Sequence, residues 1–441
     1  MAKKTTTDHS QQTPYGGVIS KNEQVRTGPH LLVSGPSGGG KTTGVLAPAA
    51  ILWRGPRVIV SSKTDFLGWL VKKGVANRGP LYVLDLAGEL HDDISWLKGR
   101  SYTRVTADPT ALIENSDDAL AMATMLMKVG ALGASDQAGG GGGNDAFWQT
   151  LASDSLAALL EAGKASGEGI GWTVKALRTL EPPEDSEPGS VPSLAEAYSL
   201  VEETSFHAEA LRALKAQDPK MRDSVTATMK AGLAPWLLST VRGDRRAVPF
   251  EPGMLEGPGE PTLAIIAPAD GVAAGAAVAA IETVIRHWRR GIDRGLDRVL
   301  LAIDELVNTA PLPKLATYIT EARGLGVAVV AAVQSTNQMK LRWGADGAEV
   351  LREVFPAVLV LPGAPERDLL EAAAWQDGEE DVQRESIDHN NRRSISTERV
   401  QRTTPTSLLP TEVGTARLII GGRKGHLVQL PGVWLWPDKA A

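Results

Sequence analysis

Residues 30–43 read HLLVSGPSGGGKTT, and this stretch decides the fold of the chain. Gly35 is followed by four residues and then by Gly-Lys-Thr at 40–42, which is the complete phosphate-binding loop pattern. The apolar residues 31–33 predict a buried strand before the loop, and we expect a helix to begin after Lys41. A glycine-rich loop between a strand and a helix binds phosphate, so the sequence predicts a nucleoside triphosphate site.

Each residue type in this loop has a chemical role. Glycine has no side chain to keep a phosphate away from the backbone N–H groups. The Lys41 ammonium can reach the β- and γ-phosphates, and the Thr42 hydroxyl can ligate Mg²⁺. We therefore predict ATP and Mg²⁺ as cofactors. The predicted nucleotide-binding residues are Gly35, Gly38, Gly39, Gly40, Lys41, Thr42 and Thr43.

A second motif, RVLLAIDELVN, lies at residues 298–308. Its apolar run 299–303 is typical of a strand buried on both faces of a parallel sheet, and ligand groups lie at the carboxyl ends of such strands. We expect Asp304 to lie beside the phosphate loop and to hold Mg²⁺ through water. Glu305 is the candidate general base for the attacking water. The alternative is an acidic pair that only caps a helix.

Two further polar residues are candidates for catalysis. The apolar run GVAVVAAV at 326–333 predicts another buried strand, and Gln334 follows its carboxyl end. Gln334 is interpreted as a sensor of the γ-phosphate or the lytic water, and the alternative is a simple strand-end amide. Arg323 is a candidate cation donated across a subunit boundary to the transition state, or else a surface arginine.

Composition excludes several classes of protein. The chain has 441 residues, 42% of them hydrophobic, no cysteine and a formal net charge of −6. Absence of cysteine excludes disulfides and thiolate metal sites, and the acidic balance argues against generic nucleic-acid binding. No run of about 18 apolar residues predicts a membrane helix, and the polar N-terminus lacks the apolar core of a secretory signal.

The pattern along the chain predicts an α/β fold with a mostly parallel sheet and an inserted all-α domain. Residues 28–112 and 241–441 alternate strand and helix patterns and form the predicted nucleotide-binding domain, split in sequence. Helical spacing dominates residues 113–240, which form the predicted insertion. Residues 1–27 are predicted to be a disordered polar tail, and the charged stretch 377–401 a mobile loop.

This layout resembles the conjugative coupling proteins of type IV secretion systems, the TraG/TraD class. The resemblance covers nearly the whole chain from residue 28. It is carried by GPSGGGKTTGVLAP with its Pro48, by DAFWQTLA at 145–152, by residues 302–344 and by RTTPTSLLPTEV at 402–413. The sequence SSKTD at 61–65 departs from the family's Asp-Pro-Lys-Gly-Glu.

Residues 302–344 are the most specific part of the resemblance. Gln334, Ser335 and Gln338 match the family's Gln-Ser-x-x-Gln series. Leu306 replaces its usual phenylalanine.

The resemblance implies a RecA-like P-loop ATPase that assembles as a homo-hexamer. Such a motor would hydrolyse ATP to pass single-stranded DNA, or a DNA–relaxase complex, into a secretion channel. Members of the class usually carry N-terminal membrane helices, which are not evident in this sequence. We therefore expect a cytoplasmic protein attached peripherally at the inner face of the cell membrane, through secretion-channel or membrane partner proteins.

The region that would contact DNA is only weakly indicated. Two groups of arginines can contact phosphates, or can be solvated faces balanced by nearby acids. The groups are Arg286, Arg289, Arg290, Arg294 and Arg298, and Arg392, Arg393, Arg399 and Arg402. The alternative functions are a double-stranded DNA pump of the FtsK or HerA kind and a nucleotide-dependent cargo adaptor with little hydrolysis; a small-molecule kinase is less favoured.

Overall fold

The computed structural model of the chain describes most of its residues. They are 12–19, 23–91, 94–134, 144–187, 190–243, 247–269, 271–321, 324, 326–364, 366–387 and 393–436. They divide into two compact units: unit 1 comprises residues 1–53, 316–323 and 328–438, and unit 2 comprises residues 54–315, 324–327 and 439–441.

The strands among the described residues are, in chain order, β1 Tyr15–Val18, β2 Gln24–Arg26, β3 His30–Ser34, β4 Arg57–Ser61, β5 Leu81–Asp85, β6 Thr103–Thr106, β7 Val248–Pro249, β8 Thr262–Ile266, β9 Val299–Ile303, β10 Val327–Val333, β11 Ala357–Val360, β12 Glu379–Ile387, β13 Arg393–Gln401, β14 Thr415–Ile420 and β15 Arg423–Gln429.

The α-helices of the same residues are α1 Ala47–Leu52, α2 Asp65–Lys72, α3 Ser116–Ala134, α4 Asn144–Ala165, α5 Ile170–Ala176, α6 Leu194–Val201, α7 Ala208–Ala216, α8 Pro219–Leu233, α9 Ser239–Arg242, α10 Ala274–Arg290, α11 Leu306–Thr309, α12 Leu315–Glu321, α13 Lys340–Val354 and α14 Arg367–Asp377.

Strand β3 lies between two parallel neighbours in unit 1. It pairs with β10 on one side and with β11 on the other. Beyond β11 the strands β14, β15, β1 and β2 follow in antiparallel pairs. Every residue of β3, β10 and β11 is buried, as expected of continuous apolar strands covered on both faces. The phosphate loop therefore begins at the end of a central strand.

All strands of unit 2 run parallel. Their order is β9, β4, β8, β5, β6 and β7, each hydrogen-bonded to the next. Parallel neighbours place their carboxyl ends at one edge, so Asp304 after β9, Ser61 at the end of β4 and Asp85 at the end of β5 share that edge.

The described residues of 113–240 contain helices and no strand. Helices α3 and α8 lie close together at Gly130. A Cβ atom on Gly130 would lie 2.7 Å from the backbone of Ala231 on α8. Met122, Met125 and Met127 are buried on α3, as expected of core residues. These helices share unit 2 with strands β4 to β9, and the domain boundaries of the sequence analysis stay a prediction.

Two expectations for irregular segments are wrong. The predicted disordered tail includes β1 and β2, because β1 pairs with β15 and buries Tyr15. Residues 1–11 and 20–22 of the predicted tail lie outside the described residues. The predicted mobile loop 377–401 contains the antiparallel hairpin β12–β13, which spans nine residue pairs and is stabilised by cross-strand ion pairs such as Arg384–Glu398.

The helix after the phosphate loop begins in an unusual way. Residues Lys41–Leu46 form a π-helical turn in which Ala47 N–H donates to the carbonyl oxygen of Thr42, five residues back. Pro48 then lies in the first turn of α1, directly after the π-helical turn, where proline is tolerated. This explains how the chain accommodates a proline so soon after the loop.

Candidate nucleotide site

The phosphate loop is anchored to both neighbours of β3. Gly35 N–H donates to the Val333 carbonyl oxygen at 3.2 Å, and Leu361 N–H donates to the Ser34 carbonyl oxygen at 2.8 Å. A Cβ atom on Gly35 would lie 2.9 Å from the Cβ of Leu361, closer than real contacts allow. Glycine is therefore required at this position by crowding.

The two later glycines are required for a different reason. Gly38 and Gly40 have φ angles of 75° and 87°, in the left-handed region that favours glycine. A Cβ atom on either would meet no atom within 4 Å, so backbone conformation and not crowding explains the residue type. The same openness leaves the loop backbone accessible, which suits an anion bound by N–H groups.

Lys41 is held against this loop. Its side chain is 7% exposed, and its ammonium donates to the carbonyl oxygens of Gly35 at 2.7 Å and Pro36 at 2.9 Å. Thr42 and Thr43 follow in the π-helical turn and are half-buried. A buried ammonium beside an open glycine backbone fits the polyphosphate of a nucleotide.

Gln334 lies near the same edge of unit 1. It directly follows Val333, which pairs with Ser34 of β3, the residue before the loop. Its side chain is exposed, and its N–H donates to the Oε1 of Gln338 at 3.3 Å. The structure thus brings the predicted sensor and the phosphate loop to neighbouring strand ends.

Sequence reasoning missed Glu366. Its side chain is 4% exposed and accepts hydrogen bonds from the Ser34 hydroxyl at 2.5 Å, the Thr336 N–H at 2.7 Å and the Thr336 hydroxyl at 2.5 Å. Its partners lie 30 and 332 residues away along the chain, so no local pattern could have revealed the contact.

The acidic pair lies at the strand ends of unit 2. Asp304 N–H donates to the Val60 carbonyl oxygen at 2.8 Å, and both acidic side chains are half-buried. Glu305 has φ 56° and ψ 51°, and it is the single non-glycine residue with positive φ in the described chain. Such a conformation costs about 1 kcal/mol or more and marks functional sites.

One side-chain and one backbone hydrogen bond hold this strained turn. The Thr309 hydroxyl donates to the Asp304 carbonyl oxygen at 2.8 Å, and Asn308 N–H donates to the Glu305 carbonyl oxygen at 2.8 Å. In the described residues no group of three or more acidic or histidine side chains is arranged to hold a metal. Mg²⁺ commonly needs only one or two protein oxygens beside the substrate phosphates, and Thr42 and Asp304 stay its predicted ligands.

Four arginines of the first predicted DNA-contacting group contact acidic side chains or the backbone. Arg286 and Arg290 bind Asp118 at 3.0 and 2.6 Å, and Arg294 binds Glu256 at 3.1 Å. Arg298 is buried and donates to a backbone carbonyl oxygen. These contacts favour the alternative of locally balanced charge for this group.

Arg393 and Arg399 of the second group lie on β13, and Arg402 follows this strand. Arg393 is paired with Glu385 at 3.3 Å, and Arg399 with Asp381 at 3.4 Å. Arg402 lies 3.9 Å from Glu380. Arg392 and the catalytic candidate Arg323 lie outside the described residues.

Asp118 shows how these arginines act on an acid. Burial alone raises the pKa of its carboxyl group, but the hydrogen bond and charge of Arg290, with the charge of Arg286, hold that pKa below its ordinary value. The cluster joins α3 to α10 and therefore has a structural role.

Comparison with known families supports the resemblance noted in the sequence. Residues 298–414 match the family model described as the TraM recognition site of TraD and TraG. A comparison with curated protein sequences gave no match. Among the residues that the structure describes, no helix combines the length and apolar character needed to cross a membrane.

Solved structures share the fold over nearly the whole chain. The bacterial conjugative coupling protein TrwB, in an unbound monoclinic form, is 20% identical with a TM-score of 0.63, over 98% of this chain and 92% of that chain. Plasmid coupling protein TrwB with the GTP analogue GDPNP gives 20% identity, a TM-score of 0.62 and the same coverage. VirB4 of Thermoanaerobacter pseudethanolicus is 12% identical with a TM-score of 0.53, over 96% of this chain and 98% of that chain.

These findings confirm two predictions. The α/β, RecA-like P-loop fold with mostly parallel strands is confirmed, and so is the resemblance to conjugative coupling proteins.

Proposed function

We propose that this chain, whose residues 298–414 match the family model described as the TraM recognition site of TraD and TraG, is a DNA-translocating ATPase that serves a type IV secretion channel. The observation that carries the proposal is the glycine loop with Lys41, placed at the strand end next to Gln334. This arrangement supports binding of a nucleoside triphosphate and reading of its terminal phosphate.

The proposed chemistry assigns one task to each residue. Lys41 binds the β- and γ-phosphates, while Thr42 and Asp304 hold Mg²⁺, which supplies positive charge to the phosphates when bound. Glu305 accepts the proton of the attacking water, and Gln334 senses the γ-phosphate or that water.

Solved relatives support the cofactors. TrwB structures contain GDPNP, ADP with Mg²⁺, or the ATP analogue ADPNP. We infer that this chain binds ATP with Mg²⁺ at the loop beginning with Gly35. Arg323 of a neighbouring subunit is proposed to stabilise the transition state in a homo-hexamer.

The proposed partners follow from the family match. A TraM recognition site supports contact with the DNA-processing cargo, and we propose single-stranded DNA with a relaxase as that cargo. Peripheral attachment at the inner face of the membrane, through channel or membrane proteins, belongs to the same proposal.

Hydrolysis measurements test this function. We expect phosphate release from Mg²⁺-ATP to rise with single-stranded DNA and to rise less with double-stranded DNA. Absence of hydrolysis with either DNA or with membranes would overturn the proposal. Stronger stimulation by double-stranded DNA would indicate a pump of the FtsK or HerA kind. Slow hydrolysis unaffected by DNA, with tight relaxase binding, would indicate a cargo adaptor.

A further inference from the structure

One buried carboxyl group joins three strand ends of unit 1. Glu366 follows β11, Ser34 ends β3 and Thr336 follows β10. Ser34, Thr336 and Glu366 are 0%, 1% and 4% exposed, so their contacts are shielded from water. The carboxyl group therefore lies where the phosphate loop starts. It also lies where the chain leaves the sheet after β10, at residues 334–336, which we call the Gln334 segment.

The contacts are specific to this arrangement. A carboxyl group buried without hydrogen bonds is costly, and the three donors to Glu366 offset that cost. Glu366 precedes α14, but its side chain does not cap that helix. Its carboxyl group binds the neighbouring strand ends instead.

We propose that Glu366 is a positioning residue that fixes the Gln334 segment relative to the phosphate loop, so that recognition of the γ-phosphate depends on it. The inference rests on the proposed nucleotide binding. The hydrogen bond between Glu366 and the Ser34 hydroxyl supports the phosphate loop, which contacts the β-phosphate of both ADP and ATP in this proposal. The hydrogen bonds between Glu366 and Thr336 support the Gln334 segment, which contacts only the γ-phosphate in this proposal.

Loss of the Ser34 contact and loss of the Thr336 contact should weaken nucleotide binding in different ways. Replacing Ser34 by Ala should weaken binding of ADP and of a triphosphate analogue together. Thr336→Val keeps the side-chain shape but removes the hydroxyl, and it should weaken binding of the analogue alone. Thr336→Ser retains the hydroxyl and is the matched control.

Two substitutions of Glu366 distinguish a side chain that keeps the three hydrogen bonds from one that loses them. An amide oxygen can accept from Ser34 and from the Thr336 N–H while the amide nitrogen donates to the Thr336 hydroxyl, so Glu366→Gln should keep all three contacts. Glu366→Ala leaves three donors without their acceptor. Glu371→Gln, at an exposed position on α14, is the control for a change of charge nearby.

The experiment measures the dissociation constants of ADP and ADPNP by calorimetry on the full chain, with thermal unfolding as the check of folding. We expect Glu366→Ala and Thr336→Val to raise the ADPNP constant by about tenfold more than the ADP constant. Glu366→Gln, Thr336→Ser and Glu371→Gln should keep the wild-type ratio within about threefold, less than the loss of one full hydrogen bond.

Three results would overturn the proposal. Folded Glu366→Ala protein with an unchanged ratio would do so, as would Glu366→Gln protein that behaves like the Ala variant. If the Ala variant does not fold, an unchanged ratio in Thr336→Val protein decides against it. Failure of the wild-type chain to bind either nucleotide would overturn the proposed function as well, whereas normal wild-type binding with unaffected variants would overturn only the role of Glu366.

Discussion

The strand ends of the two units support their candidate residues in opposite ways. In unit 1 the phosphate loop has relaxed glycine geometry, and side chains around Glu366 join the strand ends beneath it. In unit 2 the acidic pair includes the strained residue Glu305, which backbone contacts and Thr309 hold in place. In the proposed function the loop offers backbone N–H groups to the nucleotide and needs rigid support, whereas the acidic residues offer side chains that must point in a particular direction.

The largest expected effect comes from changing the acidic pair, Asp304 and Glu305. Glu305→Gln should reduce the rate of ATP hydrolysis by about 10²- to 10⁴-fold, because the amide cannot accept the proton of the attacking water. Nucleotide affinity should stay near the wild-type value, since Glu305 is not proposed to bind phosphate. Steady-state phosphate release and ADPNP binding measure the two quantities.

Glu349→Gln, at an exposed position on α13, is the control for this change. Full hydrolysis by the Glu305→Gln protein would remove Glu305 from the mechanism.

The next largest effect comes from changing the phosphate loop. Lys41→Ala should weaken ADPNP binding by about 100-fold, because two charge-assisted hydrogen bonds to phosphate are lost. Lys98→Ala, at an exposed site, should bind normally. Calorimetry of the two variants would contradict the assignment if both bound ADPNP equally well.

Asp118 sharpens the contrast, because the side chains of Arg290 and Arg286 are the main groups that hold this acid. Its lowered pKa means that its stabilising contribution is present above the ordinary Asp pKa and is lost as pH falls through the folded-state value. Asp118→Asn should therefore destabilise the protein by about 1–2 kcal/mol at pH 7 and by less at pH 3, after allowing for the partly exposed arginines.

Thermal unfolding at several pH values checks this prediction. The exposed neighbour Asp117→Asn should show little change at any pH. An Asp118→Asn effect that does not shrink in acid would mean that packing and not charge is responsible.

The smallest effect concerns the strain at Glu305. Glycine accepts positive φ without cost, so Glu305→Gly should be more stable than Glu305→Ala by about 1 kcal/mol. In helix α13 the order should reverse, with Glu349→Gly less stable than Glu349→Ala by about 1 kcal/mol. Melting temperatures of the four variants test both signs, and the same order at both positions would show that Glu305 is unstrained.

Sequence alone predicted the elements whose signal is local. Strands β3, β9 and β10 were predicted because parallel strands buried on both faces appear as continuous apolar runs. The phosphate loop was found because the spacing of its glycines and Lys41 is tied to its chemistry.

Features that depend on distant partners were not predicted. Hairpin β12–β13 has few apolar residues, and its cross-strand ion pairs cannot be recognised before the register is known. Glu366 has no local motif, because Ser34 is 332 residues away. The strain at Glu305 is a property of backbone conformation, which the residue type does not reveal.

A structure of the chain with Mg²⁺ and ADPNP tests the proposed function most directly, because the proposal assigns Lys41 and Asp304 to one nucleotide. The account predicts a single analogue with the Lys41 ammonium at its β- and γ-phosphates and the Asp304 carboxylate joined through water to its Mg²⁺. A nucleotide bound away from the loop, or a loop-bound nucleotide whose metal is remote from Asp304, would contradict it.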